Sequence, residues 1–258
     1  MARAHPQFET RFARDDADIA AAQRLRYEVF VRELGGGGAG VDHDTGRETD
    51  RFDAVARHLM LFDRARPAGD DLVGVYRLID AAGADRAGGF YSASEYDLAP
   101  LLASGRPLFE LGRSCLHRDY RGGAAMHHLW HALGGVLAAE PDAVLFGVAS
   151  FHGTDATALA GPLSLLHHDY LAPPSLRPVA RDDGAARGDW LPRDAIDRKA
   201  ALRAIPALIK AYLRLGGKVG EGAFVDRAFN TTDVCLVLNL AAMTPEQRRL
   251  YARPAHPR

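Results

Sequence analysis

The residues best suited to chemistry are Glu110 and Arg113, a carboxylate and a guanidinium among the apolar residues of Phe109–Leu116. In a regular strand, side chains three apart point to opposite faces. A bulge between them would bring both to one side. One reading of the pair is structural, a buried ion pair. Such pairs often cost as much in desolvation as they return, so stability is a weak reason to have one. The other reading is amine acylation. An amino group with a pKa of about 8 or above is mostly protonated at neutral pH and must lose a proton before it attacks a thioester. A carboxylate, acting directly or through water, can take that proton. Backbone N–H groups left unpaired at a bulge can hold the oxyanion.

Other catalytic signatures fall away. The chain has no His-Glu-x-x-His and no Cys-x-x-Cys, and Ser150 lies outside any Gly-x-Ser-x-Gly. His127 and His131 share a helix face but have no third ligand nearby in sequence; they read as the polar side of an amphipathic helix, and no metal is expected. Cys115, in an apolar strand, reads as a buried inert thiol rather than an acyl acceptor. His58 and Asp63 match a His-x4-Asp pattern, yet residues five apart on a strand face opposite ways. Gly35–Gly40 contains Gly-x-Gly-x-x-Gly. A helix precedes it, and the acidic stretch Asp42, Asp44, Glu48, Asp50, Asp53 follows, so it reads as a mobile loop or lid, not a dinucleotide turn.

The elements that must position Glu110 and Arg113 lie in Leu108–Gly153, which reads as strand, turn, helix, strand. Asp119-Tyr120-Arg121-Gly122-Gly123 makes the turn. Met126, Leu129, Trp130, Leu133, Val136 and Leu137 recur at helical spacing, and Glu140-Pro141-Asp142 stops the helix. Val144–Ser150 is a nearly continuous apolar run, as in a strand buried on both faces. A unit of this kind has a parallel, right-handed crossover. The outline resembles the central motif of the GNAT-type acyltransferases, where the two strands splay and the pantetheine arm of an acyl donor lies in the gap. That family's turn, Arg/Gln-x-x-Gly-x-Gly/Ala, cradles the pyrophosphate of CoA on backbone N–H groups. Here Arg121-Gly122-Gly123-Ala124-Ala125-Met126 puts Ala124 and Met126 at the glycine places. A Cβ keeps backbone away from a pyrophosphate. The departure suits a donor with a single phosphate on its pantetheine, as acyl carrier protein (ACP) offers; without any ligand the stretch is a plain β-α turn.

Around this unit the chain reads as α+β, a mixed central sheet flanked by helices. A first strand lies near Phe8–Phe12, and a helix opens at Asp15, Asp16 and Asp18 and runs to about Leu34. His58–Asp63 and Leu72–Ile79 form an antiparallel hairpin. Arg77 within it needs a partner or a site. Gly88–Ser94 is a turn and Ser94–Leu102 a short helix. Further helices are expected at Thr154–His168, at Arg198–Leu215 in two pieces about Pro206, and from Thr244. Leu171–Trp190 is irregular, and short strands are expected at Phe224–Val225 and Val234–Leu240. The tail from Arg248 to Arg258 is basic. With 258 residues and 47% apolar content the chain can bury a full core. A net charge of −1 argues against nucleic acid. Two cysteines make no disulfide framework, and a cytoplasmic setting is the natural reading. No apolar run of about 18 residues is present to span a bilayer, so membrane contact would be peripheral, on the inner face.

Longer blocks carry a closer resemblance. They are Arg26–Glu33, Asp50-Arg51-Phe52-Asp53, His58-Leu59, Val73–Leu78, Gly89–Glu95, Glu110–Cys115, Leu166-His167-His168, Ile209–Gly216 and Phe229–Val234. Together they resemble the ornithine N-acyltransferases of ornithine-lipid synthesis, over nearly the whole chain. The N-terminal half also resembles the acyl-homoserine-lactone synthases, without the tryptophan expected in the Gly-rich loop. These resemblances imply a GNAT-like core over residues 1–155 and a C-terminal extension over 156–258 packed on it. They imply transfer of a 3-hydroxyacyl chain from acyl-ACP, a co-substrate rather than a bound cofactor, to the α-amino group of ornithine. Glu110 and Arg113 would be catalytic. Arg26, Phe30, Asp50, Asp53, Arg77 and Phe90 would shape the acceptor site or its lid. Arg118, Arg121, Gly122 and Gly123 would meet the pantetheine phosphate or ACP. Acylation of another amino acid such as glutamine, a signal synthase using S-adenosylmethionine, and a non-catalytic module binding ACP or membrane stay as alternatives.

Overall fold

The computed structural model of the protein describes residues 5–186 and 190–252, so the tail beyond residue 252 lies outside the described residues. In chain order the first half forms β1 (Phe8–Phe12), α1 (Asp16–Arg26), β2 (Val41–Asp42), β3 (Arg47–Glu48), β4 (Arg57–Asp63), β5 (Leu72–Asp80), α2 (Ala81–Ala87), β6 (Tyr96–Asp97), α3 (Ala99–Leu102) and β7 (Leu108–Leu116). Then follow α4 (Ala125–Leu137), β8 (Val144–His152), α5 (Ala160–Tyr170), β9 (Val179–Ala180), β10 (Ala185–Ala186), α6 (Arg198–Ala204), α7 (Ala207–Arg214), β11 (Lys218–Val219), β12 (Ala223–Asp226), β13 (Thr231–Asn239) and α8 (Pro245–Ala252). The chain groups into two compact units. The first runs to Ile79 and adds Leu111–Ala139 and the chain from Arg249 on; the second holds Asp80–Glu110 and Glu140–Arg248.

In the first unit, β1 pairs antiparallel with β4, and β4 with β5 in the expected hairpin. Asp15 caps α1 by accepting the Asp18 N–H at 2.9 Å, and Asp16 and Asp18 complement the helix dipole. The helix does not run on regularly to Leu34. After Arg26 the turns widen over Tyr27–Glu33, and the Leu34 N–H reaches back five residues to the Val29 carbonyl. Ala22, Leu25 and Val29 pack with Val75 and Cys115, and Phe30 lies half-buried against them. Helix α4 buries Ala125, Leu129, Leu133 and Leu137, a narrower stripe than the spacing alone suggests. Gly74 leaves room for this packing: a Cβ there would come within 2.7 Å of Leu116 Cδ2 and 3.3 Å of Leu129 Cδ1.

The second unit carries a mixed sheet. The first three residues of β7 pair in parallel with β8, with Glu110 opposite Phe146 at the end of that register. Antiparallel pairing of β8 with β13 runs from Val144↔Asn239 to His152↔Thr231. Strand β13 in turn pairs with β12 and β11, and β12 with β10. The mixed α+β architecture and the two-piece helix about Pro206 are as expected. Helix α2 is not foreseen, because Ala81–Ala87 has no large apolar residue to mark a buried face; Asp80 caps its start and Gly88 (φ +77°) its end. Helix α5 starts at Ala160 rather than Thr154 because the Asp155 carboxylate accepts the N–H groups of Thr157 and Ala158, holding a turn there instead. No helix of the described residues is long and apolar enough to cross a membrane.

Candidate active site

The first unit brings five of the sequence-predicted residues into one buried ion network. Arg26, wholly buried at the end of α1, donates from Nη1 and Nη2 to both oxygens of Asp53 at 2.7 Å. It also donates from Nε to Glu48 Oε2 and from Nη2 to the Glu48 carbonyl, each at 2.6 Å. Arg77 Nη1 on β5 reaches Asp50 Oδ1 at 2.6 Å and Asp53 Oδ1 at 3.0 Å. Arg113 Nε and Nη2 reach Glu48 and Asp50, each at 3.2 Å. Arg113 itself has φ +50°, so β7 leaves regular strand geometry there. The alternation of three guanidiniums with three carboxylates settles charges that would be costly to bury singly. Glu48 is the member sequence reasoning left out of the site. It sits on a two-residue strand with no periodicity, and only the fold reveals that it faces Arg26.

Burial alone would raise the Asp53 carboxyl, but the Arg26 fork and Arg77 outweigh it and hold Asp53 well below the usual carboxylate range. Burial likewise opposes ionisation of Asp50, and Arg77 and Arg113 prevail. A carboxyl depressed in the folded state gives stability that is full above its unfolded pKa, about 3.9. That stability is lost as pH falls from there toward the folded value. The melting temperature is therefore expected to drop steeply below about pH 4. An Asp53→Asn variant should show a shallower drop in the same titration.

In the second unit Glu110 is 2% exposed, and its carboxylate is clamped by backbone. Oε2 accepts the Tyr91 N–H at 2.7 Å and Oε1 the Ser92 N–H at 2.6 Å. Those donors open the short helical turn Tyr91–Ser94, whose first N–H groups have no partner within the turn. Phe90, just before it, is buried edge-to-face on Phe146, with ring centroids 5.0 Å apart. A carboxylate so fixed is a group of the kind that orients an amine or accepts its proton.

At the β7–α4 turn Arg121 is held by both oxygens of Glu33, at 2.6 and 2.9 Å, and donates to the Leu116 carbonyl. The Arg118 side chain is 66% exposed, with Nε 3.6 Å from Glu33. Gly122 (φ +74°) and Gly123 are exposed, and Ala124 offers the start of α4 no side-chain cap. Other candidates resolve as structural. The buried Cys115 thiol is pushed up by desolvation. His58 bonds the Asp53 carbonyl, while Asp63 accepts from the Tyr120 hydroxyl at 2.6 Å. His127 and His131 are exposed on α4.

Residues 25–131 match the acetyltransferase (GNAT) domain family. Among solved structures, FeeM, an N-acyl amino acid synthase from uncultured soil microbes, is similar with a TM-score of 0.54 at 14% identity, covering 92% of this chain and 93% of that one. At that identity the likeness speaks to the fold. The L-ornithine N(alpha)-acyltransferase of Brucella abortus is 39% identical over 96% of this chain and 90% of its own length. That of Rhodobacter capsulatus is 55% identical over 98% of both chains. Matches of that extent span both units: the chain belongs to the family of L-ornithine N(alpha)-acyltransferases and is built on a GNAT-type fold.

Proposed function

We propose that this chain transfers a 3-hydroxyacyl group from acyl-ACP to the α-amino group of L-ornithine, giving a lyso-ornithine lipid. The observation that carries the chemistry is the buried Glu110 carboxylate on the Tyr91 and Ser92 N–H groups. The α-amine gives up a proton to Glu110, directly or through water, and its nitrogen attacks the thioester carbonyl. The C–S bond breaks, the amide forms, and the pantetheine thiolate leaves and takes a proton. In this reading Phe90 fixes the turn that holds Glu110. The acceptor-side roles of Arg26, Phe30, Asp50, Asp53, Arg77 and Arg113 rest on their shared ion network and its packing. Arg118, with Gly122 and Gly123, meets the pantetheine phosphate or the acidic surface of ACP, and Arg121 keeps that turn in place through Glu33. The product has one acyl chain and a polar head, which suits an enzyme working at the inner face of a membrane without crossing it.

The test is mass spectrometry of products from purified protein given 3-hydroxyacyl-ACP, an amino-acid pool and S-adenosylmethionine. Acyl-ornithine as the main product is expected. A different acylated amino acid would correct the acceptor, methylthioadenosine release would point to a signal synthase, and ACP binding without transfer would overturn the enzymatic reading.

A further inference from the structure

We infer that the outward face of α6 and α7 is the surface on which the protein docks to an anionic lipid bilayer. The inference rests on the lipid-forming reading above, whose product carries an acyl chain and belongs in a membrane, and adds where the enzyme meets that membrane. From Arg198 to Gly220 the chain carries Arg198, Lys199, Arg203, Lys210, Arg214 and Lys218 and no acidic residue, in a protein of net charge −1. Every lysine of the sequence falls in this run. Elsewhere several exposed arginines are matched: Arg32 with Glu28, Arg64 with Glu9, and Arg121 with Glu33. Here Arg198 alone is matched, by Asp169 at 2.7 Å. Lys210 Nζ donates to the Arg203 carbonyl at 2.9 Å, and Lys218 lies 5.8 Å from the centre of the Tyr170 ring. Among the described residues, none of Lys199, Arg203, Lys210, Arg214 and Lys218 pairs with a carboxylate.

The fold gathers these charges on one side of two short helices. Lys199, Leu202 and Arg203 stand at i, i+3 and i+4 on α6 and are all exposed, while Ala201 and Ile205 turn inward. On α7, Ile209 and Tyr212 are buried, and Lys210 and Arg214, four apart, lie on the opposite side. The bond from Lys210 to the Arg203 carbonyl ties the two helices at their junction. Leu202, 41% exposed, sits among the cations. A face that only meets water gains nothing from a leucine there. A bilayer surface uses both kinds of group: the leucine enters the acyl boundary, and the cations meet lipid phosphates. The methylene stems of Lys199 and Arg203 extend the apolar contact while their charged heads stay at the level of the phosphates. A few charges and one leucine give a reversible, salt-sensitive attachment. That suits an enzyme whose donor and acceptor arrive from water and whose product leaves into lipid.

The test is co-sedimentation of the full chain with vesicles of equal parts phosphatidylcholine and phosphatidylglycerol, and with vesicles of phosphatidylcholine alone. Binding to the anionic vesicles only, weakening as salt screens the charges, is expected. Each cation removed from such a surface lowers the partition coefficient about 5-fold, so the double variant Lys199→Gln/Arg203→Gln is expected to bind about 25-fold more weakly. Leu202→Ser is expected to weaken binding several-fold. Leu102→Ser removes a leucine that is 60% exposed on α3, outside the basic run, and is expected to bind as the wild type does. Circular dichroism checks that each variant folds, and acyl transfer in vesicle-free buffer is expected to be unchanged in all of them. A wild type that ignores anionic vesicles or binds neutral ones equally well would overturn the inference. So would variants in this face that bind unchanged, or a loss for Leu102→Ser equal to that for Leu202→Ser. A raised KM for acyl-ACP in the double variant without vesicles would also overturn it, placing the acidic carrier on this face. Absent acyl transfer by a wild type that still binds anionic vesicles would strike the acyl-ornithine reading and leave the docking surface standing.

Discussion

Glu110→Gln is expected to lower kcat/KM for acyl transfer to ornithine by about 10²–10⁴-fold, the usual contribution of a positioned acid–base group. The carboxylate has little freedom: it is 2% exposed and each of its oxygens accepts one backbone N–H, from Tyr91 and Ser92. A glutamine keeps the shape but turns an NH2 toward one of those N–H groups, so one charge-assisted bond is lost. That costs about 1.5–3 kcal/mol, or roughly 3–12 °C of melting temperature for a chain of this size. Stability and chemistry are separated by the pH profile. If Glu110 takes the amine's proton, the defect shrinks as pH rises toward 9, because more of the acceptor is already neutral. A defect that stays constant from pH 7 to 9 would leave Glu110 a structural anchor only. Near-normal turnover of the variant at neutral pH would remove it from the mechanism altogether.

How far the sequence foretold this depends on how local each signal is. The β7–α4–β8 stretch was legible because its apolar runs and helical spacing lie within a few dozen contiguous residues. So was the hairpin of β4 and β5. The widened turns of Tyr27–Glu33 were not, since they change which carbonyl each N–H meets while leaving the residue pattern helical. In the ion network, sequence singled out charged residues but not their partners. Arg77 in an apolar strand announced that it needed a counter-ion; that Asp50 and Asp53 supply it depends on a loop more than twenty residues away. The Tyr91 and Ser92 amides that hold Glu110 are backbone groups, present in every residue and so without any sequence mark.

Asp53→Ala is expected to be the most destabilising single change in the first unit. Asp53 accepts from Arg26 Nη1 and Nη2, from Arg77 Nη1 and from Gln23 Nε2. Truncation leaves two guanidiniums, Arg26 at 0% and Arg77 at 2% exposure, with less counter-charge than they need. Breaking a buried pair from one side costs about 3–5 kcal/mol, which for a chain of this size lowers the melting temperature by roughly 10 °C. Glu28→Ala is the control. Its partner Arg32 is four residues on along an exposed helical face, and such pairs contribute about 0.3–0.5 kcal/mol. Thermal melts of the two variants side by side decide the matter. A drop near 10 °C for Asp53→Ala and almost none for Glu28→Ala places the stability in the buried network rather than in charge pairing generally. Equal small shifts would mean that water reaches Arg26 once Asp53 is gone. The network would then be a surface feature in energetic terms.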